Sequence, residues 1–135
     1  MKVAAIYDIH GNLPALEAVL EEVTKLKVDQ IVAGGDVVLG PMSRECLSLL
    51  SGISIPIQFI KGNCEVSVLN AKRRGPAELL PKNVLEDIHW TADQLLPDQE
   101  KQIATWPKTL ELDVEGLGKV LFCHGTPRDE NENFT

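Results

Sequence analysis

Three short apolar runs, KVAAIY, QIVAGG and IPIQFIKG, alternate with two segments whose apolar residues recur at helical spacing. No other feature restricts the fold as much. Strands separated by a helix and joined by few residues pair in parallel, with right-handed crossovers. In the first crossover, LPALEAVLEEVTKLK, Leu13, Leu16, Val19, Leu20, Val23 and Leu26 share one face. Asn12 is a suitable N-cap, and Pro14 falls in the first turn, where no backbone donor is needed. The second, SRECLSLLSG, reads as a helix closed by Gly52. Further on, VSVLNAKRRG, NVLEDIHWTADQLL and PDQEKQIATW have helical character. KTLELDV and KVLFCH read as two strands around the glycine-bearing turn EGLG.

An open parallel sheet builds its ligand sites beyond the carboxyl ends of its strands. Four clusters fall at such ends: DIHGN, GGDVVLGP, KGNCE and CHGTP. They are expected on separate strands of one sheet. Asp8 and His10 are separated by one residue, and Gly11 lets the backbone turn sharply after them. Asp36 follows two glycines, Asn63 follows Gly62, and His124 precedes Gly125. Singly, each is an ordinary turn or cap. In combination, Asp, Asn and His donors suit manganese, iron, zinc or magnesium better than a thiolate site would.

Composition narrows the class. The chain has 135 residues, 44% hydrophobic and 24% charged, which suits one globular domain with an aliphatic core. The net charge of −7 disfavours non-specific binding to nucleic acid or anionic membrane. It leaves a phosphate ligand open, because cations can supply local positive charge. No run approaches a membrane span and no secretory leader is legible, so a cytoplasmic location is expected. Cys46 and Cys123 read as reduced core thiols, Trp90 and Trp106 as core anchors, and His89 as a structural residue of a helix. Arg73 and Arg74 could border a substrate entrance. Arg128 could face an anion or solvent.

In its ordered motifs, DIHGN, GGDVVLGP, GNCE and CHGTP, the chain resembles the calcineurin-like metallophosphoesterases, in particular their small bacterial and archaeal phosphodiesterase branch. The resemblance implies an α/β/β/α sandwich with a dinuclear metal site at the strand ends. It implies that Asp8 and His10 hold one metal, that Asp36 bridges, and that Asn63 and His124 hold the second. It also implies two divalent ions, manganese first, with iron, zinc, nickel or magnesium as alternatives. The implied substrate is a small phosphate ester, a diester before a monoester. Asp36, Asn63 and Cys64 then fall at the reacting centre. Asn63, and Asn12 beside its capping role, could touch substrate.

Two departures from the family pattern matter. Cys64 stands where many members have the histidine of GNH, and Glu65 where the family has an acid that holds this loop. A thiol, with a pKa of about 8.5, is poorly matched to protonating a leaving group at neutral pH. In addition, no GHTH-like segment follows HGTP, and His10, His89 and His124 are the only histidines. Residues 1–135 are therefore expected to form one metallophosphoesterase domain, truncated at its C-terminal side relative to the family, with an unfinished second sheet that KTLELDV and KVLFCH begin. Weak metal binding, weak hydrolysis and self-association into homo-oligomers are expected consequences. The alternative to an enzyme is a binding scaffold that keeps the fold and has lost catalysis.

Overall fold

The structure, a computed structural model, describes residues 1–133. The alternating segments form β1 (Val3–Ile6), α1 (Leu13–Lys25), β2 (Gln30–Ala33), α2 (Ser43–Gly52) and β3 (Ile57–Phe59). The three strands pair in parallel in the order β1-β2-β3, with Val3 opposite Gln30 and Ile31 opposite Ile57. Central β2 is apolar throughout its inner stretch because both its faces are covered: Ile31, Val32 and Ala33 are fully buried. Helix α1 begins as expected, with the Asn12 Oδ1 accepting from the Ala15 N–H at 3.2 Å. It buries Leu16, Leu20 and Val23, whereas Val19 and Leu26 face solvent.

After β3 come α3 (Asn63–Lys72), α4 (Lys82–Gln94) and α5 (Pro97–Thr105). Helix α3 starts at Asn63, earlier than the VSVLNAKRRG pattern indicated, because the Gly62 N–H is capped by Glu65 three residues on, at 2.8 Å. Helix α4 packs on α3 and buries Ile88, Thr91 and Ala92. These positions leave Trp90 off the buried face. Expected in the core, it is 49% exposed. Trp106 is buried as expected and stacks on Phe59, with ring centroids 4.5 Å apart and planes within 7°.

Strands β4 (Thr109–Val114) and β5 (Gly118–Cys123) form a separate antiparallel hairpin, paired from Thr109–Cys123 to Val114–Gly118. The second sheet is small, with two strands among the described residues. Its Leu117 and Leu121 are exposed, and Cys123 is only half-buried, where a core position was expected. The hairpin is tied to the end of β3 through the Lys61 N–H, which donates to the Pro107 carbonyl at 2.8 Å. The expectation that all four motif clusters end strands of one sheet is thus corrected, whereas KTLELDV and KVLFCH do begin a second sheet, as the family resemblance implied. His124 follows β5 of the second sheet and meets the other three clusters across the gap between the sheets. Among the described residues β4 and β5 pair only with each other, so they form their own layer.

Candidate metal centre

The site is assembled from loops that zip together beyond the first sheet. The Asp8 N–H donates to the Gly35 carbonyl, His10 N–H to Asp36 at 2.9 Å, and Gly11 N–H to Val37 at 2.9 Å. Pairing between the β1–α1 and β2–α2 segments therefore continues past the strands, in an irregular form. The irregularity is costly: Asp8, His10, Asp36 and Leu39 all have left-handed backbones, with φ of 56°, 47°, 52° and 71°. Such non-glycine conformations cost of order 1–3 kcal/mol each and persist where the surroundings enforce them, commonly at functional sites. At Gly62, with an ordinary φ, the requirement is space. A Cβ there would run into the backbone N and the Oδ1 of Asp36.

Glu65 holds the β2–α2 and β3–α3 loops to each other. Its side chain is fully buried. Oε1 accepts from the Val37 and Val38 N–H groups at 2.7 and 3.0 Å, and Oε2 from Asp36 and Gly62, both at 2.8 Å. Burial pushes its carboxyl above the usual range, against the pull of the backbone donors. The sequence signal was an acid at the third position of a helix opened by glycine, the N3 partner of a capping box. Nothing local indicated that it would also serve the neighbouring loop.

Asp36 lies at the centre, and its two oxygens look in different directions. Oδ1 is 3.4 Å from His124 Nε2 and accepts the Cys64 N–H at 3.0 Å. Oδ2 is 3.6 Å from His10 Nε2 and accepts the Cys64 thiol at 3.2 Å. Burial, then the charges of Asp36 and Glu65 nearby, push the Cys64 thiol far up, so it is a neutral S–H donor at physiological pH. His10 Nδ1 lies 3.3 Å from the Leu39 carbonyl, and His124 Nδ1 lies 3.0 Å from the Gly34 carbonyl. A carbonyl can only accept, so in each ring Nδ1 carries the proton and the Nε2 lone pair faces the site.

The donor chemistry fits a cation. The Nε2 of His124 lies 3.0 Å from the Asn63 Oδ1 and 3.4 Å from the Asp36 Oδ1, three electron-pair donors converging on one point. In this tautomer, a cation at that point would satisfy all three. Asp8, Asp36 and His124 form one group of donors within 4.8 Å of one another, and His10, Asp36 and Cys64 form a second. Asp36 belongs to both. The fixed Nδ1–H donors orient the two imidazoles in the manner usual for metal-ligating histidines.

Six of the seven residues singled out in the sequence are thereby brought together: Asp8, His10, Asp36, Asn63, Cys64 and His124. Asn12 is not among those lining the main cavity, and its Oδ1 is occupied with capping α1. That cavity, about 760 Å³, is bordered by Tyr7, Asp8, Asn63, His124 and residues 130–133. Sequence reasoning missed Tyr7, whose ring stacks on His124 at 6.5 Å, and the 130–133 segment. Arg128 pairs with Glu132 at 2.6 Å, and Arg73 with Glu100 at 3.9 Å. None of Arg73, Arg74 or Arg128 lines this cavity.

The calcineurin-like phosphoesterase superfamily domain matches residues 1–135. The chain belongs to that superfamily. A metallophosphoesterase from Sphaerobacter thermophilus is 30% identical, with a TM-score of 0.71 over 100% of this chain and 51% of its own. A hypothetical protein from Pyrococcus horikoshii OT3 shares the fold at 19% identity, with a TM-score of 0.86 over 99% of this chain and 58% of its own. An uncharacterised protein of Methanocaldococcus jannaschii is 29% identical over 127 residues, 93% of this chain and 50% of that protein. This calcineurin-like chain therefore spans about half the length of the relatives it matches. Its parallel sheet, flanking helices and small second sheet are those of the metallophosphoesterase fold. Among the described residues, no helix is long and apolar enough to cross a membrane.

Proposed function

We propose that this protein hydrolyses small phosphate esters, diesters in preference to monoesters, with two divalent cations at the Asp36 cluster. The observation that carries this reading is the division of Asp36, one oxygen toward His124 and Asn63, the other toward His10 and Cys64. A single carboxylate placed in that way can hold two ions about 3.5–4 Å apart. Asp8 and His10 would hold one ion, and Asn63 and His124 the other, with manganese the first choice and iron, zinc, nickel or magnesium as alternatives. When bound, such cations neutralise the charge of a phosphate ester and acidify water. The rest falls to the chain. Asn63, being neutral, contributes an oxygen without repelling an anionic substrate. Cys64 donates its backbone N–H and its thiol to Asp36, which fixes the carboxylate plane. Glu65, by holding both loops, fixes the backbone from which Asp36 projects.

Asp36→Ala tests the reading. Manganese stoichiometry by calorimetry, and hydrolysis of bis-p-nitrophenyl and p-nitrophenyl phosphate, should both be lost. Near-normal metal uptake and turnover would refute the dinuclear assignment. Two bound metals without turnover on either ester in the unaltered protein would favour the scaffold reading.

A further inference from the structure

A second cavity, about 300 Å³, is separate from the main one. Leu39, Gly40 and Pro41 of the β2–α2 loop form one wall, and Asp87, Trp90 and Thr91 of α4 form the other. The three helix residues are spaced i, i+3, i+4, so they share one face of α4. Thr91 is buried at the base of that face, while the Trp90 ring remains 49% exposed above it. A large aromatic surface at the lip of a cavity is costly to leave in water and is well shaped to cover a flat ring. Beside it, an exposed carboxylate, Asp87, is an acceptor only, so the ring it suits presents N–H groups. The loop wall joins the metal centre directly: the Leu39 carbonyl accepts from His10 Nδ1, and the opposite ring nitrogen faces Asp36. One wall of the cavity is thus hydrogen-bonded to a histidine of the site proposed for the phosphate.

We infer that this cavity is a nucleobase subsite, in which Trp90 stacks on the heterocycle of a nucleotide ester and Asp87 accepts its ring or exocyclic N–H groups. The inference deepens the phosphoesterase reading by naming the class of substrate, and rests on that reading for where the phosphate lies. Two features of the chain favour a base over other planar groups. The cavity volume lies at the lower end of the range for small-ligand pockets, enough for one ring system. Its single ionisable wall residue is an acid, which accepts N–H groups and rejects a carboxylate or sulfonate.

The test uses the protein as it is, with calorimetry and intrinsic tryptophan emission as readouts. Guanosine, whose adjacent N–H donors match a carboxylate, is titrated without metal. GMP and ribose 5-phosphate are titrated with manganese. Guanosine should quench Trp90 emission saturably, while the buried Trp106 contributes a constant background. GMP should bind roughly tenfold or more tightly than ribose 5-phosphate, the scale of one base stacked on an aromatic ring. Trp90→Ala should remove that preference, Trp90→Phe should retain most of it, and Asp87→Ala should weaken guanosine and GMP but not ribose 5-phosphate. Trp90 is too exposed for its loss to unfold the chain, and circular dichroism checks this. Absence of guanosine binding, or an unchanged GMP preference in Trp90→Ala, would overturn the subsite. Guanosine binding that depends on Trp90, combined with no gain from the phosphate and manganese, would instead sink the phosphoesterase reading and leave the subsite standing.

Discussion

Replacing Glu65 by alanine should be the most destabilising single change near the site that leaves every proposed metal donor in place. Four buried backbone N–H groups, those of Asp36, Val37, Val38 and Gly62, lose their acceptor at once. An orphaned buried donor costs about 1–3 kcal/mol, so the gross loss is about 4–12 kcal/mol. Two effects reduce it. Burial pushes the Glu65 carboxyl upward, and Asp36 adds to this, so removing the charge relieves an unfavourable desolvation. Water can also enter the vacated space and satisfy some donors. A net loss of about 3–5 kcal/mol remains, a large share of the ~5–15 kcal/mol that holds a typical domain. Glu65→Gln keeps one oxygen and hence two of the four bonds, because the amide nitrogen cannot accept. It should fall between the other two proteins. Urea unfolding followed by far-UV circular dichroism gives the three stabilities. If Glu65→Ala unfolds within about 0.5 kcal/mol of the unaltered protein, the range of ordinary surface changes, then the carboxylate does not hold the loops together.

Other outcomes follow from the same geometry. Cys64→His should raise hydrolysis of esters with poor leaving groups more than that of p-nitrophenyl esters, since general acid assistance is typically worth ~10²–10⁴-fold. An unchanged slope of rate against leaving-group pKa would contradict it. Gly62→Ala should destabilise the fold by about 1–3 kcal/mol, because the new Cβ would overlap Asp36, and should weaken manganese binding more than stability alone explains. An intact binding isotherm would show that the loop gives way without moving Asp36. The Lys108 ammonium, 2.9 Å from Glu130, holds that carboxyl below its ordinary 4.5. A depressed carboxyl contributes stability above its unfolded value and loses it as pH falls through the folded one. Lys108→Ala should therefore be less stable than the unaltered protein near neutrality, with the gap closing on acidification below 4.5. A gap independent of pH across that range would rule the pair out as its source.

The first sheet and its loops follow from residue order. Periods of two and 3.6 residues are local properties, so β1, α1, β2, α2 and β3 were legible from the side chains alone, as was the Asn12 cap. Strand ends followed by Asp, Asn or His placed Asp8, His10, Asp36 and Asn63 on one rim, because parallel strands all deliver their carboxyl ends to the same side. The tertiary structure decided what needed a second layer. Nothing local to KVLFCHG states that its hairpin stands outside the first sheet, or that His124 would reach Asn63 across the gap. Trp90 shows the same limit. Its place in a helical pattern was readable, but whether it faced the core depended on which neighbours α3 offered α4. Glu65 is the clearest instance. Its capping role is a three-residue relation, visible in sequence. Its bonds to Asp36, Val37 and Val38 span 27 to 29 residues and exist only because two loops are folded against each other.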